Sequence, residues 1–349
     1  MIPIAGQRIR KGLDMIGIGV IGYGYWGPNL VRNFATTPDA RVVAVCDLDR
    51  QRRDLAALRH PGIETTDNPR TLLENRAVDA VAIATPVASH FELALQALKA
   101  GRHVLVEKPL TQSSEQGRRL IEAAERAGKT LMVDHTFIYT GAVRKIRELI
   151  EGGEIGEVLY YDSTRVNLGL FQSDVSVLWD LAVHDLAIMD YLMPEEPRAV
   201  SATAIAHVHG QPENTAYLTV FYSGNRIAHV NVNWLAPVKL RQTLIGGDKK
   251  MIVYDDLEPS EKIKIYDKGI ELNGDLEAQR NIFINYRTGE MRAPTFDRAE
   301  ALAVEAKHFV ECVQTGKTPL TDGRAGLRVV RILEAAAGSI AAHGQMVEL

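Results

Sequence analysis

Short apolar segments alternate with amphipathic ones over the first 134 residues. Five segments are predominantly hydrophobic: 16–21, 41–46, 78–84, 103–106 and 130–133. Strands that are apolar on both faces are typical of a parallel sheet covered by helices on both sides. Helical periodicity lies between them, most clearly at 89–100 and 113–127. This order predicts an α/β, doubly wound parallel sheet in the first part of the chain.

The pattern changes after about residue 135. Residues 142–152 predict a helix, and apolar and polar positions then alternate with period two. The alternating segments are 158–166, 199–208, 216–222, 227–234 and 241–245. Short glycine-containing connections, as at 223–225, favour antiparallel pairing. We therefore predict an α+β domain with a large, mostly antiparallel open sheet, followed by two long helices at 298–315 and 323–343.

Composition narrows the function classes. The chain has 349 residues, 46% hydrophobic and 24% charged, with a formal net charge of −4. This balance is typical of a soluble globular protein and gives no general attraction to nucleic acids or anionic membranes. No apolar run approaches membrane-spanning length, and residues 1–14 lack the apolar stretch of a signal peptide. Cys46 and Cys312 form neither a disulfide framework nor a zinc site, so we expect a cytoplasmic protein without a bound metal.

A glycine-rich turn follows the first strand and opens the first helix. Gly22 allows the tight turn, Gly24 lets the backbone approach a pyrophosphate, and Gly27 lets the helix pack against the strand. The helix N-terminus then faces the phosphates. Tyr25 and Trp26 lie in the same turn and are assigned to the cofactor side. The strand, turn and helix together predict a Rossmann domain that binds a dinucleotide.

Asp47 ends the second strand, about twenty residues beyond the turn. The dinucleotide fingerprint expects an acidic residue there, bound to the adenosine ribose hydroxyls. A carboxylate repels a 2'-phosphate, so Asp47 favours NAD over NADP. Two alternatives stay open: Asp47 caps the following helix, or the nearby arginines Arg50, Arg52 and Arg53 admit the phosphate.

Two further strand ends carry candidate cofactor residues. Thr85 and Pro86 follow the third strand, at the carboxyl edge where ligands bind in open parallel sheets. His90 comes next, at the start of a helix, where a local hydrogen bond is the alternative role. Glu107 and Lys108 follow the next strand, where a lysine lies beside the nicotinamide half of a dinucleotide, although an ordinary surface strand end fits the same pattern.

The second half of the chain carries a candidate catalytic pair. Asp180 and His184 are four residues apart and would share one face of a helix. A carboxylate beside an imidazole orients it and stabilises its protonated form, as a general base requires. A structural hydrogen bond is the alternative. Trp179 precedes the pair and is a candidate for substrate contact.

These motifs together resemble the Gfo/Idh/MocA family, the oxidoreductases related to glucose-fructose oxidoreductase and inositol dehydrogenase. The resemblance extends over the chain from Ile16 onward, with one departure, Ala182 where the family often has glycine. It implies that the lysine after Glu107, Lys108, contacts the nicotinamide ribose and the substrate. It also implies that His184 is the catalytic acid and base.

Residues 22–34 and 179–185 are similar to the branch that contains UDP-N-acetylglucosamine and UDP-N-acetylglucosaminuronate 3-dehydrogenases. This similarity implies oxidation of the 3-hydroxyl of a nucleotide sugar by NAD, in the biosynthesis of surface polysaccharides. Three alternatives remain: an NADP-dependent ketosugar reductase, an inositol-type or glycosidase-type enzyme of the family, and a catalytically silent dinucleotide-binding regulator. Lys108 and His184 argue against the regulator.

Substrate recognition is less constrained by sequence. Arg165 ends a strand, and its guanidinium can bind a carboxylate or phosphate through two oxygens. Asn167 is a candidate for a sugar hydroxyl, and Lys239, Arg241 and Tyr139 are further candidates. A solvated strand end is the alternative for Arg165 and Asn167.

Domain boundaries follow from the same patterns. We predict a leader at 1–14, an NAD(P)-binding Rossmann domain at 15–134, and a substrate-binding and oligomerisation domain at 135–349. A large sheet with one uncovered face predicts a homodimer or homotetramer, because such faces seldom stay exposed.

Overall fold

The computed structural model describes residues 15–169, 175–193, 195–267, 269–271, 285–287 and 289–349. The predicted leader, residues 1–14, lies outside the described residues. The chain divides into two compact units. The first unit contains the chain up to Glu107 with Arg119–Asp134 and Leu302–Gly323. The second unit contains Lys108–Arg118, His135–Ala301 and Arg324–Leu349, so Lys108 leaves the first unit directly after a strand.

The first unit is built on a six-stranded parallel sheet, as the sequence predicts. Its strands are β1 (Ile16–Ile21), β2 (Ala40–Cys46), β3 (Glu64–Thr66), β4 (Ala80–Ile83), β5 (His103–Glu107) and β6 (Leu131–Asp134). Their spatial order is β3-β2-β1-β4-β5-β6, so the chain reverses direction across the sheet beside β1. In open α/β sheets, ligands bind at the carboxyl ends of the strands at this reversal.

Helices connect these strands. They are α1 (Gly27–Thr36), α2 (Arg50–Arg59), α3 (Pro69–Glu74), α4 (His90–Lys99) and α5 (Ser114–Ala127), and α8 (Ala301–Thr315) follows much later in the chain. The centre of the sheet is buried on both faces, since Val20, Val81 and Val106 have no exposed surface. This burial explains why the central strands are apolar throughout.

The second unit is built on a nine-stranded mixed sheet, ordered β16-β13-β12-β11-β7-β10-β9-β8-β17. The strands are β7 (Val158–Leu168), β8 (Ala199–Ile205), β9 (Thr215–Phe221), β10 (Ile227–Asn233), β11 (Leu235–Gly247), β12 (Met251–Asp255), β13 (Ile263–Tyr266), β16 (Met291–Arg292) and β17 (Val347–Glu348). Neighbouring strands are antiparallel except for the β7–β10 pair. The predicted, mostly antiparallel open sheet is therefore confirmed. A separate antiparallel pair joins β14 (Gly269–Glu271) to β15 (Asn285–Arg287).

Among the described residues, the large sheet has one buried face, and the opposite face carries exposed side chains. The helices of this unit are α6 (Gly141–Glu151), α7 (Val183–Leu192) and α9 (Gly323–Ala341). Along β10, Ala228, Val230 and Val232 are fully buried. On the opposite face Tyr217 and Ile227 are 45% and 43% exposed. Among the described residues, no helix combines the length and hydropathy needed to cross a membrane.

Candidate active site

The glycine turn at the end of β1 has the geometry of the dinucleotide fingerprint. Gly22 has a φ of +96°, and a Cβ there would lie 2.5 Å from the carbonyl oxygen of Ala84. A Cβ on Gly27 would lie 2.1 Å from the carbonyl oxygen of Gly22. Both glycines are therefore required by the turn itself and by the approach of α1 to β1.

Gly24 differs from these two glycines. A Cβ at this position would meet only the guanidinium of Arg52, at 3.4 Å and beyond, so the protein fold leaves room for a side chain. The first turn of α1 carries no acidic residue, and no side chain caps its N-terminus. Pro28 has no N–H and the Asn29 N–H donates to the Trp26 carbonyl at 2.9 Å, so the helix offers an anion chiefly the positive end of its dipole. The empty space beside Gly24 and the uncapped helix fit the pyrophosphate of a dinucleotide.

Asp47 lies beside this turn and is 8% exposed. Its Oδ2 accepts a hydrogen bond from the Tyr23 backbone N–H at 2.6 Å, and its Oδ1 accepts one from the Asp49 N–H at 2.8 Å. Asp49, rather than Asp47, caps α2 through the Gln51 N–H. Asp47 is therefore fixed as an acceptor at the edge of the turn, as a ribose-binding carboxylate requires.

The three nearby arginines occupy different environments. Arg53 donates to the Asp47 and Leu48 carbonyls, and Arg50 is exposed near Asp54. Arg52 places Nη1 3.7 Å from Asp47 Oδ2, with its side chain 52% exposed. Arg52 therefore places an exposed guanidinium beside the Asp47 carboxylate.

Thr85 and its neighbours form a hydrogen-bonded loop after β4. His90 is buried, and its Nε2 donates to the Thr85 carbonyl at 2.8 Å. Ser89 donates its hydroxyl to Thr85 Oγ1 at 2.7 Å. These contacts fix the loop that contains Pro86, so His90 has the local hydrogen bond considered as its alternative role. The predicted contact of this loop with a cofactor stays a prediction.

Lys108 and Asp180 form an ion pair in the second unit. Lys108 Nζ donates to the Asp180 backbone carbonyl at 2.9 Å and lies 3.3 Å from its Oδ1. The Trp234 indole N–H donates to Asp180 Oδ2 at 3.3 Å. Both carboxylate oxygens are thus used, and the ammonium of Lys108 is held in one place. The peptide bond between Lys108 and Pro109 is cis.

Asp180 does not lie on an ordinary α-helix. Residues Leu178–Ala182 form a π-helical turn, and α7 begins only at Val183. Such turns concentrate at functional sites. Within the described residues, no hydrogen bond joins Asp180 to His184. The expected contact of Asp180 with the imidazole is therefore not formed among the described residues, where Lys108 and Trp234 engage the Asp180 carboxylate.

His184 lies in the first turn of α7 among positive charges. Its ring meets the edge of the Phe137 ring, with centroids 4.9 Å apart and planes at 67°. Burial, and then the charges of Lys108 and Arg165 with smaller contributions from His135 and Arg241, hold the pKa of His184 well below its ordinary value. The imidazole is thus neutral at neutral pH, the form that accepts a proton.

Arg165 is not presented to solvent as a substrate-binding residue would be. It is 3% exposed, and its Nε and Nη2 donate to the Asp185 carboxylate at 2.5 and 3.3 Å. Ser163 donates to the same carboxylate at 2.6 Å. The guanidinium carbon also lies 4.6 Å from the centroid of Phe137. Arg165 is therefore engaged by Asp185, with its Nη1 without a partner among the described residues, and the predicted contact with substrate stays a prediction.

Lys108, Asp180, His184 and Arg165 form a cluster in the second unit. Phe137 and His135, which the sequence analysis did not single out, belong to the same cluster. Phe137 contacts both His184 and Arg165, and it lies in a short 3-10 helix, Thr136–Tyr139, after β6. His135 precedes it and is 2% exposed, with neither ring nitrogen hydrogen-bonded among the described residues. Burial, and then the charge of Lys108, lower the pKa of His135 to about 3. The sequence signal available for His135 was its position directly after a buried strand, a position that it shares with Lys108.

The remaining candidates divide by exposure. Arg241 donates to Asp256 at 3.2 Å and lies 5.6 Å from the Phe137 centroid, so it borders the cluster. Asn167 and Trp179 are partly exposed, Tyr139 is buried, and Lys239 is exposed. Within the described ranges, no group of three or more histidine, cysteine, aspartate or glutamate side chains is placed to hold a metal.

A neutral imidazole beside a fixed ammonium can take a proton from a hydroxyl group. The ammonium donates a hydrogen bond to the oxygen that loses the proton, and its positive charge stabilises the negative charge that develops there. These are the requirements for converting an alcohol into a carbonyl, provided that a dinucleotide accepts the hydride.

Comparisons with known proteins agree with this chemistry. Residues 16–135 match the model of an oxidoreductase family with an NAD-binding Rossmann fold, Gfo/Idh/MocA. Residues 147–349 match the C-terminal alpha/beta domain of the same family.

Two curated relatives cover most of the chain. UDP-N-acetylglucosamine 3-dehydrogenase of Acidithiobacillus ferrooxidans is 27% identical over 89% of this chain and 93% of its own. The NAD-dependent scyllo-inositol 2-dehydrogenase of Bacillus subtilis is 26% identical over 88% and 87%. The structure of the Acidithiobacillus enzyme, GnnA, superposes with a TM-score of 0.80 at 24% identity, over 94% of this chain and 98% of that one, which shows a shared fold.

Proposed function

Since the chain belongs to the Gfo/Idh/MocA family of NAD-binding oxidoreductases, we propose that it oxidises the 3-hydroxyl of a UDP-N-acetylhexosamine to a 3-keto sugar. The observation that carries this proposal is the neutral imidazole of His184 in one cluster with the fixed ammonium of Lys108. This pair suits the removal of a proton from a sugar hydroxyl.

In the proposed reaction, the lone pair of the His184 imidazole takes the proton from the 3-hydroxyl. Lys108 donates a hydrogen bond to that oxygen. Asp180 holds the lysine in place, and Trp234 holds Asp180. The C3–H bond breaks as the C3–O bond becomes a carbonyl. Bound NAD supplies the acceptor of the hydride. Lys108 also holds the nicotinamide ribose, as the family resemblance implies.

The choice of substrate rests on the Acidithiobacillus relative and on the state of Arg165. That relative acts on UDP-N-acetylglucosamine and aligns over nearly its full length. A uronate needs an available cation for its carboxylate, but Arg165 is engaged by Asp185 and Arg241 by Asp256. We therefore favour the N-acetylhexosamine itself over its uronate.

NAD is the proposed cofactor because Asp47 presents a fixed carboxylate where a 2'-phosphate would lie. The glycine turn and the uncapped N-terminus of α1 hold the pyrophosphate. Thr85, Pro86 and Glu107 remain candidate contacts for the rest of the cofactor. The proposed setting is a cytoplasmic homodimer or homotetramer that associates through the open face of the large sheet, where Tyr217 and Ile227 are exposed.

Oxidation of an inositol is the second candidate. It is supported by the Bacillus relative, a scyllo-inositol 2-dehydrogenase that matches at nearly the same identity and coverage. The same base and lysine would serve an inositol hydroxyl. A silent regulator has less support, because it needs neither Lys108 nor His184.

The test is oxidation of a substrate panel by the purified protein with NAD. UDP-N-acetylglucosamine, its uronate, myo- and scyllo-inositol and glucose are each incubated with NAD, and bound and free NADH are followed. A parallel series contains a 2-oxoacid, which regenerates NAD if NADH stays tightly bound. Reduction of NAD with the UDP sugars, and not with the inositols or glucose, supports the proposal. Reduction with an inositol alone replaces it with the second candidate.

His184→Asn tests the base in the same assay. We expect turnover to fall by about 10²–10⁴-fold, the usual contribution of a general base, while NAD binding stays nearly unchanged. His209→Asn is the control, because His209 is exposed on a turn and belongs to no part of the cluster. Turnover by His184→Asn at the rate of the control would exclude His184 as the base.

A further inference from the structure

The orientation of His184 needs an explanation that does not involve Asp180. A general base must point its lone pair at the substrate, and a catalytic imidazole is usually oriented by a hydrogen bond to its second nitrogen. Within the described part of the chain, the Asp180 carboxylate binds Lys108 and Trp234 instead. Another group must therefore fix the plane of the imidazole.

Phe137 makes the ring contact to that imidazole. The two rings meet edge to face, with centroids 4.9 Å apart. Aromatic pairs prefer this geometry, which resists rotation of either ring. The phenyl ring lies against the imidazole, and burial is the largest cause of the lowered pKa of His184.

Phe137 is held in turn by Arg165, which is fixed by Asp185, the residue next to His184. Arg165 lies over the Phe137 ring at 4.6 Å, in the range of a cation–π interaction. Asp185 fixes Arg165 through two hydrogen bonds and directly follows His184 on α7. The contacts therefore form a closed circuit from His184 through Phe137, Arg165 and Asp185 back to α7. Arg241 adds a second cation 5.6 Å from the ring.

We propose that Phe137 is the positioning residue of His184, fixing the plane of the imidazole and limiting its access to water in place of a carboxylate. This inference rests on the proposed role of His184 as the base. Phe137 itself moves no proton. Its loss leaves an imidazole that rotates and is better hydrated.

The first experiment needs no substrate. The full-length protein is labelled with [13Cε1]-histidine, and the His184 resonance is identified among the ten histidines by its absence in His184→Asn. Phe137→Leu is then titrated by NMR. We expect the His184 resonance to shift and the pKa of His184 to rise toward its ordinary value, because the ring that excludes water is gone. Lys108, Arg165, Arg241 and His135 still face the imidazole, and the Asp180 and Asp185 carboxylates keep their partners, so the rise is partial.

The matched control is Phe91→Leu. Phe91 also lies under an arginine, Arg119, at the same distance of 4.6 Å, but it belongs to the first unit and not to the His184 cluster. The same ring and the same cation–π contact are therefore removed without touching His184. The His184 resonance and its titration should match the wild type in this variant.

Turnover of UDP-N-acetylglucosamine is the second readout. We expect Phe137→Leu to lower kcat by about 10- to 100-fold through misorientation of the base, with little change in KM. The acid limb of the kcat profile should move to higher pH. Phe137→Tyr keeps the ring and should restore both the resonance and most of kcat. If Phe137→Leu does not fold, Phe137→Met keeps the volume, removes the ring and serves the same test.

The outcomes separate this inference from the proposed function. If His184→Asn retains turnover, the role of His184 as base fails. If His184→Asn is inactive while Phe137→Leu keeps both the wild-type titration and kcat, only the role of Phe137 is overturned. A fall in kcat with an unchanged His184 resonance would also overturn it, because the ring would then act on another group.

Discussion

The glycine turn of the first unit and the candidate catalytic cluster of the second unit are assembled in opposite ways. The turn is almost entirely local: six consecutive residues and Asp47 make it, and backbone geometry dictates Gly22 and Gly27. The cluster draws on side chains far apart in the chain, at Lys108, Phe137, Arg165, Asp180 and Trp234. A local site depends on backbone shape, whereas a dispersed site depends on buried charges that must find partners.

This difference determines how each site should fail. A change in the turn should affect either backbone packing or cofactor affinity, depending on which position is changed. A change at one residue of the cluster should also affect its neighbours, because each cation there has a specific carboxylate partner that would be left unpaired. Four predictions follow this contrast, from the largest effect to the smallest.

Arg165→Met tests the dispersed site most severely. The variant leaves the Asp185 carboxylate buried without its cation, which typically costs about 3–5 kcal/mol. We expect this loss in the free energy of unfolding, measured by urea titration. Arg165→Met with Asp185→Asn should recover part of it, because no buried charge is left alone. If stability is unchanged and KM rises instead, Arg165 binds substrate, as the sequence pattern suggested.

Gly27→Ala and Gly24→Ala separate structure from binding in the local site. An alanine at 27 places its Cβ 2.1 Å from a backbone oxygen, so we expect a loss of roughly 3 kcal/mol of stability. An alanine at 24 meets only a flexible arginine, so stability should change by about 0.5 kcal/mol or less. Its methyl group instead occupies the proposed pyrophosphate space, and NAD affinity should fall about tenfold or more. Unchanged NAD affinity in Gly24→Ala, measured by calorimetry, would remove the pyrophosphate from this position.

The sequence predicted the glycine turn after the first strand and the positions of the main strands along the chain because their determinants are adjacent residues. Apolar runs identify β1, β4 and β5, and the glycine spacing identifies the turn. The three-residue strand β3, with no buried residue, carries no such pattern and was missed. The family motif singled out Lys108 and His184, which lie close enough that the charge of Lys108 lowers the pKa of His184.

The partners within that cluster could not be read from spacing. Asp180 and His184 are four residues apart, which on an α-helix predicts a shared face, but the π-helical turn intervenes. The sequence pattern places Arg165 at the end of a strand, as for a substrate-binding arginine, but β7 continues to Leu168, and Asp185, twenty residues further on, binds the guanidinium. Phe137 looks like an ordinary core residue. These contacts depend on how α7 packs on β7, and no local pattern encodes that packing.

His135 gives the third prediction, on pH. The pKa of His135 is about 3 in the folded protein, against an ordinary 6.5 in the unfolded chain. The unfolded state therefore takes up a proton first, so stability is full above pH 6.5 and falls as the pH drops toward 3. Between pH 7.5 and 5.0, this group should cost about 2 kcal/mol, and His135→Phe should lose that component. His209→Phe, at an exposed position, should keep the wild-type pH dependence. An equal pH dependence in both variants would mean that His135 is hydrated in the folded state.

The smallest expected effect concerns the choice between NAD and NADP at the edge of the local site. Arg52 is the arginine near Asp47 that has an exposed guanidinium beside the glycine turn. Arg52→Ala should weaken NADP binding by a few-fold and leave NAD binding within about twofold, because exposed ion pairs contribute little. Arg50→Ala is the matched control on the same helix, since Arg50 is paired with Asp54 and exposed. Asp47→Asn should act in the opposite direction and improve the affinity for NADP relative to that for NAD.

The measurement is the ratio of the dissociation constants of NAD and NADP. Equal losses of NAD and NADP in Arg52→Ala would show that Arg52 binds the pyrophosphate that both cofactors share, and Asp47 alone would then set the preference.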